Sequence, residues 1–211
     1  MLMRANGHTL DQAAIDTAMM KRCIRLSAIA AQGGEFPFAA LISIGGEVVV
    51  EIANEVAKSA DVTRHAELMA VSEAQKILGR KDLSDCSLYS NVEPCVMCSF
   101  PIRETRISRV VFAISSPMMG GVSKWNVLRD NELSQKMPEA FGPVPEVVVN
   151  FMRREAEKIW WKWNPLIWAV IKRRGCFGSH AASSACEHLE AVPTKGLMSR
   201  FRMMRHNHGS P

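Results

Sequence analysis

The chain is poor in several features that mark whole classes of protein. It has no long apolar run: its longest stretch without Asp, Glu, Lys or Arg is the 14 residues from Val110 to Ser123. An apolar helix needs roughly 20 residues to cross a bilayer, so no membrane partner is expected. The opening residues, Met1 to Gly7 with Arg4 among them, lack the apolar run of a secretion signal, and a cytoplasmic, reducing location is the expectation. Internal repeats are absent. Among the six cysteines (Cys23, Cys86, Cys95, Cys98, Cys176, Cys186) only Cys95 and Cys98 form a close pair, which argues against a disulfide framework in a chain of this size. Positive charge is also missing where most of the chain lies. Residues 1–150 carry 15 Lys and Arg against 17 Asp and Glu, whereas residues 151–175 carry 7 against 2 and residues 176–211 carry 4 against 2. A uniformly basic protein that coats nucleic acid is excluded; a basic C-terminal element is not.

What is present begins with Pro94-Cys95-Val96-Met97-Cys98. A C-x-x-C has three readings: half of a structural zinc site, a redox pair, or part of a catalytic zinc site. The first needs a second pair of ligands at similar spacing, which this sequence does not offer. The redox reading stays open, because a thiol at a helix start has a lowered pKa. His65-Ala66-Glu67, upstream of the pair, tips the balance towards catalytic zinc. One imidazole and two thiolates leave the fourth tetrahedral position of zinc open for water, whose pKa the metal draws towards neutrality. A carboxylate that does not bind the metal is then needed to move protons, and Glu67 is the candidate. Alone, His-Ala-Glu would be a surface helix start and C-x-x-C a structural site; together, in this order, they specify His65, Cys95 and Cys98 as zinc ligands. Cys23, Cys86 and Cys176 read as small buried apolar residues.

Periodicity sketches one domain. Thr9-Leu10-Asp11-Gln12 fits a capping box for a helix reaching about residue 31, with Met20, Ile24 and Ala28 on one face. Gly33-Gly34 ends it. Phe38 to Ile44 and Val48 to Ala53 are strands joined at Gly45-Gly46. A helix over 65–79, a strand over 87–91, a helix to about Thr105 with Pro94 in its first turn, and a strand over 107–114 follow. A loop from Ser115 to Lys124 precedes a fifth strand, Glu146 to Asn150, and a helix over 151–163. This is an α/β sheet covered on both faces, a domain spanning 1–175 with its core in 9–163. Residues 176–211 read as an unstructured tail.

The sequence resembles the cytidine and deoxycytidylate deaminase superfamily, in the branch holding bacterial tRNA adenosine deaminase and guanine deaminase. The resemblance covers residues 9–163. Its anchors are Glu35-Phe36-Pro37-Phe38-Ala39-Ala40, Asn54, His65-Ala66-Glu67, Val92-Glu93-Pro94-Cys95-Val96-Met97-Cys98 and Arg106 to Phe112. It implies a three-layer α/β/α fold on a five-stranded mixed sheet whose fourth and fifth strands are parallel, one Zn2+ per protomer and a homodimer. It also implies that Asn54 hydrogen-bonds the substrate and that the Ala66 N–H meets the substrate base. Two segments depart from the branch. Asp61-Val62-Thr63-Arg64 replaces its usual Asp-Pro-Thr-Ala, and residues 117–126 are bulkier than the small segment of the tRNA enzymes. Phe151-Met152-Arg153-Arg154, by contrast, is similar to their basic C-terminal helix.

Three functions follow in order of preference. The first is hydrolytic deamination of a nucleobase or nucleoside, purine favoured, with Glu67 shuttling protons and Trp125 either stacking on the base or packing as a core aromatic under its loop. The second is conversion of adenosine to inosine in tRNA, where a splayed-out base enters the pocket. The third is a zinc-stabilised binding protein without turnover, against which a non-ligating Glu67 speaks. The Trp-rich basic segment after residue 150 is expected to cover the sheet or a dimer partner with its tryptophans, leaving Arg153, Arg154, Lys158 and Lys162 to water, with RNA contact the other reading.

Overall fold

The computed structural model describes residues 11–178 of the chain. Its first element, α1 (Gln12–Gln32), is capped by Asp11, whose carboxylate accepts the Ala13 N–H at 3.2 Å. The Thr9 hydroxyl of the expected capping box lies outside the described residues; Asp11 takes up the orphan N–H of the first turn instead. Met20 and Ile24 are buried on the inner face of α1 and Ala28 is half-buried. Next come β1 (Ala39–Ile44) and β2 (Glu47–Ala53), an antiparallel pair joined at Gly45-Gly46. Both glycines have positive φ, 57° and 91°, as the primed hairpin turn requires.

A short helix, α2 (Val56–Ser59), precedes α3 (Ala66–Leu78). Then follow β3 (Cys86–Val92), α4 (Val96–Glu104) and β4 (Arg109–Ile114). Pro94 does not enter the first turn of α4 as expected: the helix is capped at Cys95, and Pro94 lies just outside it. The excursion after β4 contains a 3-10 turn at Val127–Arg129 and the short α5 (Asn131–Lys136). Arg103, 1% exposed, holds this excursion down by donating to Val127 O at 2.7 Å, Asp130 O at 2.9 Å and Ser134 Oγ at 2.5 Å. A three-residue β5 (Glu146–Val148) leads into α6 (Arg153–Trp163). The chain does not stop being helical there. Asn164 accepts the Ile167 N–H at 3.0 Å and Pro165 fills the first helical position of α7 (Pro165–Arg173), so the Asn-Pro pair starts a second helix where none was assigned from sequence.

The sheet order is β2-β1-β3-β4-β5, with β3, β4 and β5 mutually parallel. Register explains the two cores. Leu41, Tyr89 and Val111 stand opposite one another and face α1, α6 and α7 with Met20, Cys23, Trp160 and Trp168. Ile42, Leu88 and Val110 face the other way, onto Ala70, Ala74 and Ile102 of α3 and α4. Helices on both faces of a five-stranded mixed sheet give the expected three-layer α/β/α arrangement. Among the described residues no helix is long and apolar enough to cross a membrane.

The tryptophans of α6 and α7 mostly pack inwards. Trp160 is fully buried against Phe38, Phe177 and Trp168, with ring centroids 4.9, 5.1 and 5.7 Å away. Trp161 is the exception and is 59% exposed. Arg154, Lys158 and Lys162 face water as expected, while Arg153 is half-buried and pairs with Glu157 at 2.8 Å. Cys176, Phe177 and Gly178 fall in the segment expected to be tail, yet Phe177 is 5% exposed and Gly178 N–H donates to Ser115 O at 3.1 Å. The remainder of that segment, residues 179–211 with Cys186, lies outside the described residues.

Candidate active site

Two helix starts converge at one end of the sheet. β3 delivers the chain through Glu93-Pro94 to Cys95, the N-cap of α4, and His65 is the N-cap of α3. Neither side chain caps its own helix, because both turn towards each other. His65 Nδ1 lies 3.5 Å from Cys95 Sγ and 3.6 Å from Cys98 Sγ, and the two sulfurs are 3.7 Å apart. These edges can be tested against a metal. With Zn–S near 2.3 Å and Zn–N near 2.0–2.1 Å, a tetrahedron has S–S edges of about 3.8 Å and N–S edges of about 3.6 Å. The three ligand atoms therefore already stand at the spacing of one face of a zinc tetrahedron. A helix N-terminus carries partial positive charge, and two of them aimed here favour thiolate over thiol. The sulfurs respond as a pair. A hydrogen bond from Cys98 is the main influence drawing Cys95 down to about 4, and the same contact pushes Cys98 well above the ordinary thiol value. Cys23 and Cys86 behave differently: both are buried in the two cores, and burial raises both, Cys86 to about 12.

Glu67, in the first turn of α3, is 6% exposed and sits beside the triangle without joining it. Its Oε2 is 3.7 Å from Cys98 Sγ, and its Oε1 is 3.0 Å from Ser90 Oγ. Burial pushes its carboxyl above the usual range, and the Cys95 thiolate adds to this. The same Ser90 hydroxyl, with a single proton to give, lies 2.6 Å from Val92 O, so it bridges the carboxyl group and the end of β3.

A cavity of about 210 Å³ opens over these groups, lined by Phe36, Phe38, Asn54, His65, Glu67, Met119 and Phe177 among others. Aromatic rings on one side and a carboxylate, an imidazole and an amide on the other suit a flat, polar-edged ligand. Asn54 is fixed at the end of β2, where its N–H donates to Phe38 O at 3.0 Å. Ala66, 1% exposed, supplies the first residue of α3 between His65 and Glu67. The expected site residues thus gather in one place except Trp125, which is 56% exposed on its loop and does not line the cavity. Arg64 points away as well and pairs with Glu55 at 3.2 Å.

Four contributors were not singled out from sequence: Ser90, Glu35, Glu93 and Phe177. Glu93 accepts from Ser116 N–H (2.6 Å), Val122 N–H (2.8 Å), Ser123 N–H (2.6 Å) and Ser123 Oγ (2.6 Å), pinning the loop that carries Met119 against the Cys95 segment. That approach is why Gly120 and Gly121 are glycines: a Cβ on Gly120 would stand 2.2 Å from the Glu93 carboxylate, and one on Gly121 1.8 Å from Ser99 Oγ. A glutamate directly before the Pro-Cys, followed by Gly-Gly in the loop, was the available signal. Phe177 gave none, since only tertiary packing brings it to the cavity.

Comparison with known proteins agrees with the geometry. The model of the cytidine and deoxycytidylate deaminase zinc-binding region matches residues 13–114. A tRNA-specific adenosine deaminase of Aquifex aeolicus is 35% identical over 128 residues, 60% of this chain and 85% of that protein. The protein of the same description from Streptococcus pyogenes serotype M1 is 31% identical over 150 residues, 68% and 88% of the two chains. A solved tRNA:A34 deaminase superposes with a TM-score of 0.57 at 26% identity, covering 68% of this chain and 99% of its own. The guanine deaminase of Nitrosomonas europaea shares the fold at a TM-score of 0.55 and 22% identity, over 70% and 84%.

Proposed function

Because the chain belongs to the cytidine and deoxycytidylate deaminase family, we propose that it is a zinc-dependent hydrolase that removes the amine of a purine nucleobase or nucleoside as ammonia. One observation carries the reading: a buried, non-ligating carboxylate, Glu67, stands beside a His-Cys-Cys triangle of zinc dimensions and faces an aromatic-walled cavity. His65, Cys95 and Cys98 would hold the ion, which when bound supplies the Lewis acidity that makes water a competent nucleophile near neutral pH. Glu67 moves both protons of the attacking water, the first to the ring nitrogen as the C–O bond forms and the second, from the added hydroxyl, to the departing amine as the C–N bond breaks, so that water and the amine become a ring carbonyl and ammonia. Ser90 holds Oε1 and leaves Oε2 for that transfer. Phe36, Phe38 and Phe177 wall the ring and exclude bulk water, and Asn54 fixes its edge.

A free purine is preferred over a tRNA because Phe177, beyond the segment that the family model matches, adds a further wall to the cavity. The relatives favour the other reading, adenosine within tRNA, and the exposed Arg154, Lys158 and Lys162 of α6 offer phosphate contacts. Ammonia release from a panel of free purines, nucleosides and tRNA separates the two. Conversion of tRNA alone, with binding that weakens steeply as salt rises, would replace the first reading by the second. Glu67→Gln is expected to keep its zinc and lose turnover by about 10²–10⁴-fold; unimpaired turnover in that variant would remove Glu67 from the chemistry.

A further inference from the structure

Glu35 is 5% exposed and belongs to no helix or strand, yet it reaches three donors. Its Oε1 accepts the Lys58 N–H at 2.6 Å, and its Oε2 accepts the Ala57 N–H at 3.1 Å and Asn54 Nδ2 at 2.9 Å. The two backbone bonds cap α2 from outside, because Glu55, the N-cap residue, makes no side-chain capping bond and pairs with Arg64 instead. A carboxylate accepting from two fixed N–H groups can only accept from the third partner. The Asn54 amide is therefore held in one of its two orientations, nitrogen towards Glu35 and Oδ1 away from it. Asn54 is 4% exposed and lines the cavity, and among the described residues its Oδ1 has no hydrogen-bond partner.

We propose that Glu35 is a specificity-determining positioning residue: by fixing the Asn54 amide it makes the cavity present a hydrogen-bond acceptor, which selects purines that carry a ring N–H at that edge. The inference rests on the purine reading above and narrows it to oxopurine-type or free bases, such as guanine, rather than rings without an N–H. An unmatched buried acceptor discriminates strongly, because a ligand lacking the donor leaves Oδ1 desolvated and unpaired. Glu35→Gln reverses the situation. The Lys58 N–H, at the shortest distance, retains the amide oxygen of the new side chain. The amide nitrogen then faces the Ala57 N–H, which loses its acceptor, and Asn54, which turns over to offer Oδ1 to it and Nδ2 to the cavity.

The test measures equilibrium binding, by calorimetry on the zinc-loaded protein carrying Glu67→Gln to stop turnover, of guanine, 1-methylguanine and 9-methylguanine, so that each ring N–H is removed in turn. With Glu35 in place, one methylation is expected to weaken binding about 10- to 100-fold. In Glu35→Gln that ratio is expected to fall to within about threefold of unity, with zinc content unchanged, since Glu35 makes no contact with the ligand triangle. Asn54→Ala should erase the ratio too, and Glu35→Gln should then add nothing. Ratios taken on one protein sample are insensitive to partial misfolding of a variant, so loss of the α2 cap does not obscure the result. Equal discrimination with and without Glu35→Gln would overturn the inference while leaving purine turnover intact. Failure of every free purine to bind would overturn it together with the functional reading.

Discussion

Glu93→Gln perturbs the loop that walls the cavity without touching a proposed ligand, and its cost can be worked from the four bonds it receives. Glu93 Oε1 takes the N–H groups of Val122 and Ser123; Oε2 takes the Ser116 N–H and the Ser123 hydroxyl. A glutamine keeps one oxygen. Turned to serve Val122 and Ser123, it sets its NH2 against the Ser116 N–H, whose position 2.6 Å from the former oxygen becomes a donor facing a donor. The Ser123 hydroxyl can rotate and accept, so that bond survives. The loss is one hydrogen bond to a charged group, about 1.5–3 kcal/mol, and one buried donor left unpaired, about 1–3 kcal/mol. Their sum is about 2.5–6 kcal/mol, equivalent to a melting point lowered by roughly 5–24 °C in a domain of this length. Thermal unfolding at a fixed free-zinc concentration measures it, since metal binding shifts the midpoint by mass action. Glu139→Gln, on an exposed glutamate, should stay within about 0.5 kcal/mol of wild type and serves as the control. A Glu93→Gln midpoint within about 2 °C of the control would mean that the loop is held by something other than this carboxylate.

Two further outcomes are expected. Burial opposes ionisation of Asp16, but hydrogen bonds from Arg109 (2.6 Å), Gln12 (2.9 Å) and Tyr89 (2.8 Å) outweigh it and hold the carboxyl below its usual range. A depressed folded-state pKa contributes stability that is present above the unfolded value and lost as pH falls through the folded one. Asp16→Asn should therefore be less stable than wild type at pH 7, with the gap closing below about pH 4; denaturant midpoints at both pH values check this, and a pH-independent gap would refute it. Phe177→Ala should raise KM for a free purine by up to about tenfold through loss of an aromatic contact, with kcat much less affected. An unchanged KM in steady-state kinetics would show that Phe177 does not touch the substrate.

The metal triangle and Glu67 were legible in sequence because their chemistry is local: a helix start fixes where an N-cap residue points, and C-x-x-C places two sulfurs on one turn. The hairpin was legible for the same reason, since Gly45-Gly46 carries the turn geometry in its own residues. Glu35 and Glu93 were not, because a carboxylate that receives backbone N–H groups 22 to 30 positions away leaves no periodic trace. The α7 helix was not assigned from sequence: at Asn164-Pro165 a cap and a first-turn proline look the same as a terminator until the apolar residues after them are weighed. Trp125 was drawn into the site by its chemistry, but the loop turns it outwards, and only the anchoring by Glu93 and Arg103 decides that direction. The basic excess proved to be two populations: charges on the outer side of α6, and tryptophans beneath them that complete the core.

The position of Phe177 in the chain has a consequence for synthesis. His65, Glu67, Cys95 and Cys98 have all left the ribosome well before Phe177 is added. A domain folds as a unit, so the cavity gains its last wall only when the chain beyond α7 is made. A chain halted anywhere between α6 and residue 177 would carry these four side chains without the Phe177 wall beside them.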